Sequence, residues 1–357
     1  MGIYGILYTY TSTVVCTRKE KYMNKRERFE NFLNNKPVDR VPVGFWHHYM
    51  GFDRMNRGFF ENDTFEENVA GHLKSKAVFD PDIVKIMTDS LMIMPIDCSK
   101  IEKTSDLYNI EPFALDSPYV KKSIELAQRV RDMYKEDVPV FMTGFTPLFP
   151  LRCALKPEPL NVMCRDNGKF FDYLNEDPAA VAAALDILGK RIMEFHKLLV
   201  EKCGIDGIYL SVNNRLSAIP DDIYLKYVAP LEKEVLDDAN KYCTTLLHIC
   251  GYAGQGNNLE LYKDFDAKGI NWSVVAENMT LGEGKKFFGN KPVFGGFAQK
   301  GILYTGTKEE IEAEVFRILD ECGQVGTMLG ADCTVPNDID ENRFEWVRQA
   351  AIKYAEK

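Results

Sequence analysis

The sequence predicts a single α/β domain of the TIM (β/α)8 barrel class. Three observations carry this expectation. Eight short β-rich runs recur along the chain: Val41–His48, Asp82–Asp89, Pro139–Thr146, Gly207–Asn213, Thr244–Gly251, Ile270–Glu277, Pro292–Ala298 and Gly326–Cys333. Most are too apolar for a half-exposed sheet and suit parallel strands covered on both faces. Helical patterns with recognisable start and stop signals lie between them.

Taken in order, Met1 to Tyr22 are rich in Tyr, Thr and Val and have no period. They are expected to be an N-terminal extension, either poorly ordered or packed as a short arm, with the barrel spanning 23–357. They lack the basic start and long apolar run of a signal peptide, and Ile6 stands where a myristoylation signal needs a hydroxyl. Asn24 to Leu33 reads as the first helix. Asp177-Pro178 opens a long helix through Lys202 that stops at Cys203-Gly204, and Pro220-Asp221-Asp222 opens another through Tyr242. Thr307 and Glu310 form a capping box on a helix that ends at Cys322-Gly323. The stretches Asn109–Pro118 and Thr146–Gly168 read as barrel-top or insertion loops, and no linker or repeat divides the chain.

A net charge of -9 is the wrong sign for a phosphate-binding surface, so nucleic acid is not expected as a partner. Nine cysteines without a framework spacing fit a reducing, cytoplasmic setting, and no apolar run is long enough to span a bilayer.

The chemistry is expected at the C-terminal ends of the strands, where such barrels carry their active sites. Those ends bear His47, His48, Asp89, Thr146, Ser211, Asn213, His248, Cys250, Glu277 and Cys333. His248 and Cys250 are two apart on one strand and face the same side. Cys333 closes the last run, giving a nitrogen/sulfur set that selects zinc and leaves one position open, as catalytic zinc requires. His47 and His48 are adjacent and face opposite sides, so at most one lines the pocket. Asp89 is either a polar pocket floor or a cap on the following helix. Gly295-Gly296 is expected to let substrate approach the backbone closely. His72 and His196 lie on helical patterns and are expected in the outer layer, and the remaining cysteines lack a partner at metal spacing.

Several motifs resemble the uroporphyrinogen decarboxylase superfamily. They are Lys36-Pro37-Val38-Asp39-Arg40-Val41-Pro42-Val43, Met87-Thr88-Asp89-Ser90-Leu91, Ile270-Asn271-Trp272, and Leu329-Gly330-Ala331-Asp332-Cys333 followed by Pro336 and Glu341-Asn342. The resemblance runs from about Met23 to the C-terminus and implies a TIM barrel with one of two chemistries. Decarboxylases of this family clamp an acidic tetrapyrrole with an Arg pair and use a His after the last strand. His47, Gly51 and Ala331 stand at those positions here, while Asp89 is kept and Ser211 falls near a family Ser. The other branch holds zinc methyltransferases marked by His-x-Cys and a distant Cys, which His248, Cys250 and Cys333 match. That branch implies zinc, a corrinoid carried by a partner corrinoid protein, and a small-molecule methyl acceptor held as thiolate. It also offers Glu277 as a displaceable fourth ligand; the other reading of Glu277 is a partner for a basic group. The substrate pocket is then expected to be lined by His47, Asp89, Ser211, Asn213 and Gly296. Two alternatives stand beside the methyltransferase: a metal-free decarboxylase, and a corrinoid- or tetrapyrrole-binding protein without chemistry.

Overall fold

Seven parallel strands, paired in sequence order, form the sheet: β1 (Val84–Ile86), β2 (Val140–Phe145), β3 (Gly207–Val212), β4 (Thr244–Ile249), β5 (Gly269–Trp272), β6 (Val293–Phe297) and β7 (Thr327–Ala331). The computed structural model describes residues 22–214, 219–251 and 254–357. All but one residue of the expected N-terminal extension, Tyr22, lies outside them. Every strand is buried along most of its length, as parallel strands sandwiched between a filled interior and a helical layer must be.

The eighth expected strand, Val41–His48, is not a regular strand. It still occupies the gap between β7 and β1. Gly44 N–H donates to Leu329 O at 3.0 Å, Leu329 N–H to Pro42 O at 3.0 Å, and Asp82 N–H to Val43 O at 2.9 Å. On the β1 side the Val43 N–H goes to the Asp82 carboxylate at 2.8 Å instead of a backbone carbonyl. A side chain thus takes the slot a ladder bond would fill, and only isolated bridges, Val43 with Leu329 and His47 with Val335, remain.

Helix boundaries follow local chemistry. Asn24 and Glu27 form a capping box on the helix Lys25–Leu33. Asp177 caps Pro178–Cys203, and Gly204 ends it at φ 62°, a conformation that favours glycine. Thr307 and Glu310 cap Lys308–Cys322 as the sequence predicts. The segment expected as one helix from Pro220 to Tyr242 is interrupted by a π-helical turn, Tyr224–Val228, before the helix Ala229–Ala239. Pro230 sits just after that turn and has no N–H for an i−4 bond, so the ladder shifts there. The proline-rich loop expected from Thr146 contains a short helix, Leu148–Ala154.

Two apolar layers result. Phe29, Phe32, Trp46, Ile83, Met87, Phe141, Tyr209, Leu246, Phe294 and Met328 fill the barrel interior, and a larger cluster lies between sheet and helices. Phe29 packs edge-on against Phe141 at the start of β2, so the first helix plugs the N-terminal end. Arg28 and Arg40 both pair there with fully buried Asp82, at 2.7 and 2.6 Å, and Arg28 also with Asp39 at 2.7 Å. These charges tie the N-terminal end together and leave the opposite end for chemistry.

Candidate metal centre and active site

His248 and Tyr209 point into the barrel from β4 and β3, their rings 5.5 Å apart. Cys250 follows β4 on the same side as His248, and Cys333 follows β7. Their ligand atoms, with the His248 ring nitrogen, all lie within 4.8 Å of one another, and this is the one such group of His, Cys, Asp and Glu among the described residues. Cys250 Sγ and Cys333 Sγ are 3.9 Å apart, and Cys333 Sγ is 3.7 Å from His248 Nε2. Zn–S bonds of about 2.3 Å and Zn–N bonds of about 2.0–2.1 Å at tetrahedral angles place two sulfurs ~3.8 Å apart and sulfur ~3.6 Å from nitrogen. The three side chains fit a zinc ion. His248 is buried and both cysteines are part-exposed, so the set opens toward the mouth.

A neighbouring amide decides which imidazole nitrogen is available. Asn271, on β5 beside His248 in the register, is fully buried. Its Nδ2 donates to Phe294 O at 2.8 Å and Ala331 O at 3.2 Å. Two carbonyl acceptors fix the amide orientation, so Oδ1 faces His248 and accepts from Nδ1–H at 2.5 Å. Nε2 is then left with its lone pair toward the cysteines, as a metal ligand requires. The Cys333 thiol is held well below its ordinary value, first by its contact with Cys250 and then by His248, against the opposing effect of burial. Asp332 pins the end of β7: Oδ2 accepts from Ser273 Oγ at 2.9 Å and Oδ1 from Gln299 N–H at 2.8 Å. Burial raises its carboxyl.

The other expected site residues divide. Asp89 is fully buried and accepts from Tyr49 N–H at 2.6 Å, while its second oxygen meets His48 Nδ1 at 2.9 Å. It is shared between the His48 ring and the Tyr49 backbone. The choice of His47 over His48 is corrected. His47 turns to the outer layer, where its Nε2 lies 3.3 Å from Glu341 and its ring packs near Phe344. Trp46 points into the barrel interior, and alternation sends His47 outward and returns His48. Ser211 on β3 lies level with His248. Asn213 reaches the Cys250 carbonyl through its side-chain amide.

Gly296 does not face the pocket. A Cβ there, at φ 98°, would meet Ile318 and Leu281 of the helical layer, whereas one on Gly295, at φ 127°, would meet Asn271 Nδ2 at 2.6 Å. Gly295 makes room for Asn271, and Gly296 for the helical layer. Glu277 is not among the converging ligand atoms. β5 ends at Trp272, and Glu277 lies in a turn whose N–H bonds to Ser273 O at 3.0 Å. Its carboxylate accepts from Asn257 N–H at 2.7 Å and Asn257 Nδ2 at 2.9 Å, and the same Nδ2 reaches Cys250 O at 3.0 Å. Asn257 and Glu277 also line a cleft of about 970 Å³ beside Pro220 and Asp222. His72 and His196 lie at the helix–sheet interface as expected, both nearly fully buried.

Sequence reasoning missed Asn271, Asn257 and Lys85 as contributors. For Asn271 a signal existed: it lies one strand on from His248, in a run already noted for its family likeness.

The family model for uroporphyrinogen decarboxylase matches residues 24–354. The chain belongs to the uroporphyrinogen decarboxylase family. Within this family it is 22% identical over 337 residues to the methylcobamide:CoM methyltransferase MtbA of Methanosarcina mazei, covering 83% of this chain and 88% of that one. It is 28% identical over 245 residues to the uroporphyrinogen decarboxylase of Geobacter sulfurreducens, covering 67% of each chain. A solved methyltransferase from Methanosarcina mazei superposes with a TM-score of 0.71 over 93% of this chain and 99% of that one, at 16% identity. That likeness establishes the shared fold. Among the described residues no helix is long and apolar enough to cross a membrane.

Proposed function

We propose that this family member is a zinc-dependent methyltransferase that moves a methyl group between a corrinoid, presented by a partner corrinoid protein, and a small-molecule thiol. The observation that carries the reading is the convergence of His248 Nε2, Cys250 Sγ and Cys333 Sγ, with Asn271 orienting the imidazole. The activity of the MtbA relative supports it. Zinc held there would keep an acceptor thiol ionised near neutral pH. His248 and the two cysteines would hold the ion, Asn271 would keep the proton on Nδ1, and Asp332 would fix the strand end that carries Cys333. In thiol methylation the acceptor thiolate would take the methyl group, and the electron pair of the carbon–cobalt bond would stay with the corrinoid. His48 and Asp89 form the polar floor of the pocket, and Ser211 and Asn213 line the side next to His248. Glu277 serves as a fourth ligand only if its carboxylate leaves Asn257.

The decarboxylase reading is weaker because His47 and Gly51 stand where the acetate-clamping arginines are expected, and His47 is turned away from the pocket. The test pairs zinc content with methyl transfer from free methylcobalamin to a panel of thiols and to tetrahydrofolate. The wild type is expected to bind one zinc and methylate a thiol. Cys250→Ala and Cys333→Ala are expected to lose both properties while remaining folded, since the barrel core does not depend on metal. Chelator-insensitive conversion of uroporphyrinogen to coproporphyrinogen would overturn the proposal.

A further inference from the structure

Lys85 is the unusual residue of the barrel wall. It lies on β1, is only 7% exposed, and follows Ile83 and precedes Met87, both of which point into the barrel interior. Its ammonium sits 4.6 Å from the centroid of the Tyr209 ring and 5.4 Å from that of Trp46. The same Tyr209 ring is 5.5 Å from His248. Lys85 therefore faces the interior under the metal-binding set.

Among the described residues Lys85 makes no ion pair. The buried cations at the N-terminal end are handled differently: Arg28 and Arg40 are paired with Asp39 and Asp82. The anionic groups that act on Lys85 are Cys333, Asp89 and Cys250. Asp89 is already engaged by His48 and the Tyr49 N–H. Burial lowers the Lys85 ammonium to about 8, opposed by those three groups. A buried cation is costly unless something compensates it, and two aromatic faces do so only in part.

The charge count indicates what compensates it. A neutral imidazole and two thiolates balance a divalent zinc. A third thiolate, from the acceptor, leaves the set one negative charge in excess inside a poorly solvated barrel. We propose that Lys85 is the cation that offsets this excess charge, so that the site favours an acceptor held as thiolate over one held as thiol. The proposal rests on the methyltransferase reading above and concerns the reacting sulfur, not the rest of the acceptor.

The test uses the full chain loaded with zinc, with Lys85→Met, Lys85→Gln and Lys85→Arg. Binding of 2-mercaptoethanol and 2-mercaptoethanesulfonate is measured by calorimetry at pH 7 in two buffers of different ionisation enthalpy. Both charge-removing variants are expected to retain zinc. Their affinity for each thiol should fall about tenfold or more, as expected for losing a nearby opposite charge. Fewer protons should be released per thiol bound, and Lys85→Arg should recover part of both. Lys85→Gln keeps a polar head and reports the same loss if the Met variant fails to fold. Unchanged affinity and proton release in the zinc-loaded variants overturn the role of Lys85 and leave the methyltransferase reading standing. A loss confined to the sulfonate also overturns it, because the ammonium would then serve the acceptor's tail. A wild type that binds no zinc overturns both.

Discussion

Asn271→Leu isolates the residue that sets the imidazole tautomer. Leucine approximates the side chain's shape but cannot accept from His248 Nδ1–H, now bonded at 2.5 Å, or donate to Phe294 O and Ala331 O, now at 2.8 and 3.2 Å. Removing an outer partner of a metal-ligating histidine typically costs about 10–100-fold in metal affinity, which is ~1.4–2.7 kcal/mol. The fold is penalised separately. Buried groups left without a partner cost about 1–3 kcal/mol each. The two carbonyls can also accept within the sheet, so their share falls at the low end, and a total of roughly 2–4 kcal/mol is expected. Zinc affinity, measured by competition with a chromophoric chelator at low temperature where the variant stays folded, should fall by that 10–100-fold factor. Asn271→Asp separates the two effects. An ionised carboxylate still accepts from Nδ1–H but cannot donate to either carbonyl, so it should lose stability while keeping zinc affinity within about tenfold of wild type. Wild-type zinc affinity in Asn271→Leu would refute the argument that this amide selects Nε2 for the metal.

Other outcomes follow from the same geometry. Glu277→Gln should keep its zinc, because the carboxylate is bonded to Asn257 and stands outside the ligand set; loss of zinc in that variant would place Glu277 on the metal. Gly295→Ala should be costlier than Gly204→Ala. The first forces a Cβ to 2.6 Å from Asn271 Nδ2 at φ 127°, whereas the second meets nothing within 4 Å and costs about 1 kcal/mol for its left-handed φ. Equal melting temperatures for the two would be inconsistent with the packing described. Acid sensitivity should come from buried histidines. His72 and His196 are pushed by burial from 6.5 to about 4, so between those values the unfolded chain binds protons that the native chain refuses. Stability should therefore fall as pH drops through that window, at up to about 1.4 kcal/mol per pH unit for each histidine. Glu232, raised by burial from 4.5 to about 7, acts with the opposite sign, its contribution being lost as pH rises from 4.5 to 7. Denaturation midpoints of wild type and His196→Leu at intervals between pH 4.5 and 6.5 should show a shallower slope in the variant, and identical slopes would exclude His196 as a source.

Features that depend on local chemistry and strand alternation were legible in the amino-acid order alone. Capping residues set the ends of Lys25–Leu33, Pro178–Cys203 and Lys308–Cys322, and apolar runs between helical patterns marked all seven regular strands. The i, i+2 spacing put His248 and Cys250 on one face, and a barrel brings the ends of β4 and β7 to a common mouth, so the convergence of His248, Cys250 and Cys333 was legible as well. What required the tertiary structure were properties set by a neighbouring strand or a competing partner. Val41–His48 has strand-like composition, but the Asp82 carboxylate takes a backbone donor from its ladder. The choice between His47 and His48 turned on which of two opposite faces met the barrel axis, and Trp46 decides that by packing inward. Gly295 and Gly296 adopt positive φ and break the alternation on which a face assignment relies, so Gly295 abuts Asn271 and Gly296 the helical layer. Glu277 stands outside the ligand group because its strand ends early and Asn257, twenty residues away, holds its carboxylate. Asn271 and Lys85 look like ordinary strand residues in the sequence. Alternation along a strand tells which residues share a face, but whether an amide there meets an imidazole or a cation meets a thiolate depends on the register between strands, which arises only when the sheet closes.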